Sequence, residues 1–245
     1  MIEVHDLVKV YGALRAVQGL SFTVPPGEIL GLVGPNGAGK TTTLRSLAGI
    51  IRPTGGSIRI AGHDLATDPV GAKAALAFIP DEPQLFDYLT VREHLAFVAR
   101  LYRTPEALGE APALLTELEL AEKADNLASE LSRGMRQKLA IACGLLHQPR
   151  VLMLDEPLTG LDPVGIRRMK RTIAARAAAG AAVILSSHLL PLVEELCTRV
   201  LIIQRGQAVA MGTLAEIAAS RPELSGRGLE ELFLSLTGHQ DEPPA

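Results

Sequence analysis

The segment GPNGAGKTT at residues 34–42 constrains the fold of this chain more than any other feature. It matches the pattern G-x-x-x-x-G-K-[ST], and it stands between an apolar run at residues 29–33 and a helical pattern at residues 40–48 that Gly49 can end. Glycines let successive backbone N–H groups converge on an anion, and the helix adds the positive end of its dipole. The pattern predicts a phosphate-binding loop, the alternative being a glycine-rich turn that happens to precede a helix. Its candidate binding residues are Gly34, Pro35, Asn36, Gly37, Ala38, Gly39, Lys40, Thr41 and Thr42.

Strand and helix signals alternate along most of the chain, which is typical of an α/β fold with a mainly parallel sheet. Asp162 and Pro163 predict the start of a helix that ends near Ala179, before Gly180. Between about residues 88 and 146, leucine, alanine and glutamate at helical spacing replace the strand signals, which predicts a helical lobe inserted into the core. The predicted strands are 29–33, 57–60, 76–79, 151–154 and 182–186, with a hairpin at 199–204 and 207–211.

Composition narrows the class of protein. The 245 residues are 47% apolar and lack tryptophan, so we expect a core made mostly of aliphatic side chains. A net charge of −3 gives no reason to expect a nucleic-acid partner. The N-terminus does not resemble a signal peptide, and the nearest candidate for a membrane span, 174–185, is short and contains Arg176, so we expect a soluble chain. Cys143 and Cys197 have no metal-ligand spacing; buried free thiols are expected, and a disulfide is the alternative.

A second motif, VLMLDEP at residues 151–157, ends an apolar strand in two carboxylates. Asp155 can hold Mg²⁺ opposite the Thr41 hydroxyl, and Glu156 can orient or deprotonate an attacking water. Acidic residues at strand ends are common, so a merely polar strand end is the alternative. The presence of a phosphate loop in the same chain favours the catalytic interpretation of these carboxylates.

These motifs, in this order, resemble the nucleotide-binding domains of ABC transporters over about residues 2–213. LSRGM at 131–135 resembles the signature segment of that family, TGLDP at 159–163 its D-loop, and SSH at 186–188 the segment with its switch histidine. The resemblance implies that ATP is bound with Mg²⁺, with Tyr11 stacked on adenine, Glu156 and His188 as catalytic residues, and Thr41, Asp155 and Asp81 at the metal. It further implies contacts across a dimer from Asp162 and from the signature residues Leu131, Ser132, Arg133, Gly134 and Met135.

Each of these assignments has a simpler alternative. Tyr11 could be a packing aromatic, His188 a capping or solvent-facing histidine, and the signature segment a helix start with Ser132 as its N-cap. Three positions also depart from the family pattern. Arg133 and Met135 replace a glycine and a glutamine of the usual LSGGQ, and Asp81 replaces a glutamine that usually ligates Mg²⁺.

The resemblance implies a P-loop NTPase core with a mainly parallel sheet, an N-terminal antiparallel β region and the inserted helical lobe. We expect one ATPase domain over 1–238, with its core at about 1–84 and 147–215, its helical lobe at about 85–146, and a C-terminal helical extension with a frayed tail at 216–245. The lobe contains an apolar cluster formed by Leu85, Phe86, Tyr88 and Leu89. We expect this cluster either to be partly exposed until a partner covers it or to face the core.

The function implied is ATP hydrolysis that powers transport through a separate transmembrane permease subunit, at the cytoplasmic face of the membrane. Two such domains, as a homodimer or a heterodimer, would close around two ATP molecules. The SRGMRQK and IPDEP segments favour export over import. The alternative is a soluble ABC-type ATPase in DNA repair or translation, whose usual second domain, insertions and basic surface are not visible in the sequence. A GTPase is disfavoured because no NKxD motif is present.

Overall fold

The computed structural model describes residues 1–220 and 228–238. The strands are β1 Ile2–Tyr11, β2 Leu14–Val24, β3 Ile29–Val33, β4 Gly55–Ile60, β5 His63–Asp64, β6 Leu76–Ile79, β7 Val151–Asp155, β8 Ala182–Ser186, β9 Arg199–Gln204 and β10 Gln207–Gly212. The α-helices are α1 Lys40–Leu47, α2 Pro69–Ala74, α3 Val91–Leu101, α4 Ala111–Glu117, α5 Arg133–Leu146, α6 Pro163–Ala178, α7 Leu190–Leu196, α8 Leu214–Ala219 and α9 Leu229–Thr237. Short 3-10 helices lie at Pro105–Glu110, Ala121–Lys123 and Ala128–Glu130.

The larger sheet has the strand order β10-β9-β3-β8-β7-β6. Its pairs are parallel except for the antiparallel hairpin of β9 and β10, so the predicted mainly parallel sheet and hairpin are confirmed. Strand β7 is buried on both faces: Leu152 and Leu154 join the helical side of the core, whereas Val151 and Met153 face the opposite layer. Burial on both faces explains why the sequence shows continuous apolar runs here instead of alternation.

A smaller antiparallel sheet, β2-β1-β4-β5, forms the N-terminal β region that was expected. Its inward side chains, such as Ile2 and Leu20, share one apolar cluster with Leu44 and Leu47 of α1 and with Ile184 of the larger sheet. Helix α1 therefore lies between the two sheets. This packing fixes the loop that precedes α1 against both of them.

The segment between β6 and β7 is helical, and it packs on the other face of the larger sheet through α5. Its helices are also joined to α6 by polar contacts. Glu117 accepts a hydrogen bond from the Thr172 hydroxyl at 2.5 Å, and Glu119 pairs with Lys138 at 2.7 Å and with Arg168 at 3.1 Å. The start of α5 and the start of α6 are consequently held in one packed unit.

Several local predictions are confirmed and others need adjustment. Asp162 caps α6, and Ser132 caps α5. The first helix of the segment between β6 and β7 starts at Val91, where the Thr90 capping box begins it. Leu101 falls at the apolar spacing of α3 but is 64% exposed.

The remaining sequence expectations concern thiols, membrane spans and the tail. Cys143 and Cys197 are free thiols within the part of the chain that the structure describes, so the disulfide alternative does not hold. Across the described helices, none combines the length and the apolar character that crossing a bilayer requires. The tail expected beyond Gly238 lies outside the described residues.

Candidate functional site

The loop at residues 34–42 links the end of β3 to the start of α1. Two of its glycines cannot carry a side chain. A Cβ on Gly34 would lie 2.3 Å from the Ile203 carbonyl oxygen, and one on Gly39 would lie 2.5 Å from the Ala16 carbonyl oxygen. Gly39 also has a φ of 107°, a conformation that residues with a side chain rarely adopt. The loop is therefore held tightly against β2 and β9.

The first turn of α1 faces this loop with its backbone donors. Gly39 is the N-cap residue of α1 and has no side chain that could accept from the free N–H groups. The first turn of α1 contains no acidic residue. Helix N-termini present unpaired N–H groups and a partial positive charge, so an anion is the natural partner for this one. The geometry fits a phosphate group.

Lys40 supplies the charged group of the loop. Its Nζ donates to the carbonyl oxygens of Gly34 at 2.6 Å and of Pro35 at 3.2 Å. Burial lowers the pKa of Lys40, and the negative charges of Glu156 and Asp155 oppose that lowering. The ammonium group thus feels the charge of two carboxylates, while its hydrogen bonds within the described residues go to neutral carbonyl oxygens, which a phosphate can replace.

Asp155 ends β7 in a buried position. Its side chain is 3% exposed, and its Oδ1 accepts a hydrogen bond of 2.5 Å from the hydroxyl of Ser186, which is fully buried. The parallel pairing of β7 with β8 places Asp155 directly opposite Ser186. The hydroxyl orients the carboxylate without neutralising it, so a negative oxygen is available at the sheet edge next to Thr41 and Lys40.

Glu156 follows Asp155 and is bonded to His188. Its Oε2 accepts from His188 Nδ1 at 2.9 Å and from the His188 backbone N–H at 3.3 Å. A carboxylate only accepts hydrogen bonds, so Nδ1 carries the proton in this contact. Glu156 also has a φ of 50°, a left-handed conformation that is uncommon for residues other than glycine. Such local strain is concentrated at functional sites, which supports a role for this side chain.

Lys40, Asp155 and Glu156 border one cleft of about 850 Å³, whose lining does not include His188. The structure brings together Tyr11, most of the loop, Asp81, Asp155 and Glu156 along its walls. The Tyr11 side chain is exposed at the mouth of the cleft, with Lys9 Nζ 4.7 Å from the ring centroid, so it is not a core packing residue. A flat aromatic ring at the rim of a phosphate-binding cleft can stack on a base.

The metal-binding capacity of the cleft depends on few protein ligands. Among the described residues, no group of three or more His, Cys, Asp or Glu side chains is assembled that could hold a metal alone. Asp81 Oδ1 is nevertheless shielded from solvent and lacks a hydrogen-bond partner in that part of the chain. Oxygen atoms from Thr41, Asp155 and Asp81 suit Mg²⁺, which usually takes one or two carboxylates and completes its shell with phosphate oxygens and water. The residues therefore fit Mg²⁺ bound together with a nucleotide.

The signature residues and Asp162 lie outside the walls of this cleft, and two of the signature residues, Arg133 and Gly134, lie against the loop that leads to Asp162. Gly134 packs against the loop before α6, where an added Cβ would lie 2.8 Å from the Gly160 carbonyl oxygen. Asp162 accepts a hydrogen bond of 2.7 Å from the Gly165 N–H, and that bond lowers the pKa of the Asp162 carboxyl. Ser132 accepts from the Met135 N–H at 3.3 Å. Both motifs thus serve as helix caps within this chain.

Sequence reasoning missed several residues of the cleft. Arg15 and Gln18 of β2 and Arg205 of the β9–β10 turn line it, although no motif marks them. The two arginines add positive charge to the walls of this cleft. Ser186, the partner of Asp155, was also missed, since only the pairing of β7 with β8 shows which residue faces Asp155.

Comparison with known proteins gives consistent results. The family model described as ABC transporter matches residues 17–159. The ABC-type transporter ATP-binding protein EcsA of Bacillus subtilis (strain 168) is 35% identical, with 98% of this chain and 99% of that protein covered. The Nod factor export ATP-binding protein I of Paraburkholderia xenovorans (strain LB400) is 40% identical, covering 89% of this chain and 73% of that protein. A solved ATP-binding subunit of an ABC transporter superposes with a TM-score of 0.92 at 36% identity, covering 96% of this chain and 99% of that one.

Proposed function

This chain belongs to the ABC transporter family as an ATP-binding subunit, and from that premise we propose that it hydrolyses Mg²⁺–ATP in the cleft to drive export through a separate membrane-spanning subunit. The observation that carries the proposal is the convergence of Lys40, Asp155 and Glu156 on one cleft, with Glu156 fixed by His188. These residues supply a phosphate-binding cation, a metal ligand and a base.

The residues divide the chemistry among them. Lys40 and the N–H groups at the start of α1 hold the phosphates, and Arg15 and Arg205 add charge along the cleft. Mg²⁺, when bound, neutralises developing charge on the phosphate oxygens. Glu156 accepts a proton from the attacking water or orients it. His188 acts as a positioning residue, since its two hydrogen bonds fix the carboxylate of Glu156.

The surface for the membrane-spanning subunit is proposed at the helical segment. Its apolar cluster divides in the structure: Leu85 packs against the core, whereas Phe86 and Tyr88 are exposed, Tyr88 at 91%. Phe86, Phe97 and Leu101 border one groove, to which Pro83 also contributes. An exposed aromatic and aliphatic groove on a polar surface suits a short amphipathic segment of a partner. Pro80 and Pro83, which flank Asp81 in the chain, both line this groove, so a partner there would be close to the nucleotide cleft.

Export is the proposed direction of transport. The relative from Paraburkholderia xenovorans is named for Nod factor export, and it is 40% identical to this chain. Sequence likeness of this degree supports a shared type of transport, in agreement with the signature form SRGMRQK. The proposed location is the cytoplasmic face of the membrane, where the chain is held by the subunit that it drives.

A dimer is proposed as the working form. The proposed contact surface comprises Ser132, Arg133 and Gly134 together with the loop that leads to Asp162, all of which lie outside the walls of the cleft of their own chain. A second chain related by a twofold axis would bring this surface to the cleft of its partner, and the reciprocal contact would follow by symmetry. Ser132 and the Gly134 N–H would then contact the phosphates of the partner's ATP.

The test is Glu156→Gln. We expect ATP binding to be retained, hydrolysis to fall by roughly 10²- to 10⁴-fold, and an ATP-dependent dimer to accumulate. Hydrolysis is measured as phosphate release, and the dimer by size-exclusion chromatography with light scattering. Hydrolysis at the wild-type rate would refute the assignment of Glu156 as the catalytic carboxylate.

Two further variants complete this experiment. Glu195→Gln makes the same chemical change at an exposed carboxylate that pairs with Lys170, and its hydrolysis should equal that of the wild type. Lys40→Ala removes the cation of the phosphate loop, so ATP binding measured by calorimetry should be lost. Unchanged ATP affinity in Lys40→Ala would contradict the phosphate-binding role of the loop.

A further inference from the structure

The two charged departures from the family pattern, Asp81 and Arg133, lie next to each other in the folded chain. Asp81 follows β6, and Arg133 is the first residue of α5. Arg133 Nη2 lies 3.8 Å from Asp81 Oδ1, which is an ion pair but too long for a hydrogen bond. A carboxylate stands where the family has an amide, and a guanidinium stands where the family has a glycine. The two charges compensate each other.

The arginine is held in place by its hydrocarbon stem. Its Cγ, Cδ and Nε lie 3.6, 3.4 and 3.6 Å from the position that a Cβ on Gly160 would occupy. Gly160 has a φ of 79°, so a glycine is favoured there and the stem finds a flat surface. The guanidinium is thereby kept above the loop before α6 and directed toward Asp81.

The aspartate is positioned to change partners. Asp81 lines the cleft together with Lys40 and Asp155, and its Oδ1 has no hydrogen-bond partner within residues 1–220 and 228–238. A shielded carboxylate oxygen without a donor is suited to a metal ion or to a metal-bound water. By Coulomb's law, a divalent ion at its usual ligand distance attracts this oxygen about three to four times as strongly as a guanidinium at 3.8 Å in the same medium.

We propose that Arg133 and the nucleotide-bound Mg²⁺ compete for the Asp81 carboxylate, so that metal binding releases Arg133 from its ion pair. The inference rests on the proposed function, because it takes the cleft to be the Mg²⁺–ATP site. Arg133 is a positioning residue in this scheme, and it acts on the metal through Asp81. Because its side chain is 63% exposed, the released guanidinium is accessible to a second copy of the chain.

The scheme is tested by titrating Mg²⁺ into protein with MANT-AMPPNP, a fluorescent ATP analogue that is not hydrolysed. The readout is the Mg²⁺ concentration at half-maximal fluorescence change. Arg133→Gln keeps the stem over Gly160 but removes the charge that competes with Mg²⁺ for Asp81. The midpoint should therefore fall by about two- to fivefold, the factor that corresponds to the free energy of an exposed ion pair. Arg133→Lys keeps the charge and should stay near the wild-type midpoint.

Two controls separate the ion pair from general effects of charge. Arg92→Gln removes an arginine whose ion pair with Asp125 is distant from the cleft, and it should leave the midpoint unchanged. Asp81→Asn should raise the midpoint, and adding Arg133→Gln to that variant should have no further effect. The competition would be overturned if Arg133→Gln left the Mg²⁺ midpoint unshifted. It would also be overturned if Arg133→Gln shifted the midpoint equally with and without Asp81→Asn.

The experiment also distinguishes this inference from the proposed function. Wild-type protein should bind MANT-AMPPNP, and Lys40→Ala should not. If the wild type does not bind the analogue, the nucleotide cleft and the competition both fail. If the wild type binds it normally and the Arg133→Gln midpoint does not move, only the competition fails.

Discussion

The hydrogen bond between Ser186 and Asp155 allows a sharp test of how the site is built. Ser186 is fully buried, Asp155 is 3% exposed, and their oxygen atoms lie 2.5 Å apart. Ser186→Ala removes the donor and leaves a buried carboxylate oxygen without it. Hydrogen bonds to charged groups contribute roughly 1.5–3 kcal/mol, so the free energy of unfolding should fall by about 2 kcal/mol. For a domain of this size, the melting temperature should fall by roughly 4–8 °C.

The matched control is Ser46→Ala. Ser46 is also fully buried, but its hydroxyl donates to a neutral acceptor, the Thr42 carbonyl oxygen, at 2.8 Å. That carbonyl lies inside α1, where a backbone N–H can also bond to it. We therefore expect a loss of about 1 kcal/mol or less. Both variants are measured by urea unfolding without nucleotide.

The role of charge is then isolated in an Asp155→Asn background. The amide oxygen still accepts from Ser186, but the bond becomes neutral, so Ser186→Ala should cost only about 1 kcal/mol there. The reasoning would be refuted by two results together: Ser186→Ala and Ser46→Ala lower the free energy of unfolding equally, and Ser186→Ala costs the same with Asp155→Asn as without it. The hydroxyl would then be a packing group and not the group that orients the proposed metal ligand, Asp155.

Two other predictions follow from the same structure. Asp81→Gln restores the amide that the family usually has, so ATPase activity measured by phosphate release should remain within about tenfold of wild type; an inactive variant would mean that the acid has a chemical role of its own. Burial raises the pKa of Cys143 and of Cys197 to about 12, so both thiols stay protonated at neutral pH. Both thiols are half-buried, so Ellman's reagent should label them much more slowly in the native protein than in denaturant, and equal labelling rates would contradict this expectation.

Features determined by neighbouring residues were predictable from the sequence. The phosphate loop, the Asp162 cap and the Ser132 cap each depend on a few consecutive positions, and the structure has each helix start where it was expected. The buried strands were also found, because burial on both faces leaves an unbroken apolar run. Leu101 continues the apolar spacing of α3 yet is exposed, which shows that spacing alone does not say whether the last member of a series reaches the core.

Features determined by long-range packing were not predictable. Arg15 and Arg205 line the cleft because β2 and the β9–β10 turn are bonded to each other and to the loop. The Gln18 N–H donates to the Gly206 carbonyl oxygen at 2.8 Å, and the Gly206 N–H donates to the Ala38 carbonyl oxygen at 2.9 Å. Neither contact follows from spacing along the chain. The pairing of Asp81 with Arg133 is of the same kind, since the sequence shows two separate departures and only the fold joins them.

The position of Arg133 connects the cleft of one chain to its proposed contact with another. Arg133 pairs with Asp81 at the cleft, and its side chain runs past Gly160 in the loop that leads to Asp162, so a change at the proposed metal ligand would reach the surface proposed to meet a partner. The contacts of Glu119 with Lys138 and Arg168 hold the start of α5 to α6, and this surface therefore responds as one unit. A switch requires a ligand that interacts differently with two states. Here that difference lies in the carboxylate of Asp81, which binds either a guanidinium of its own chain or the metal of the nucleotide.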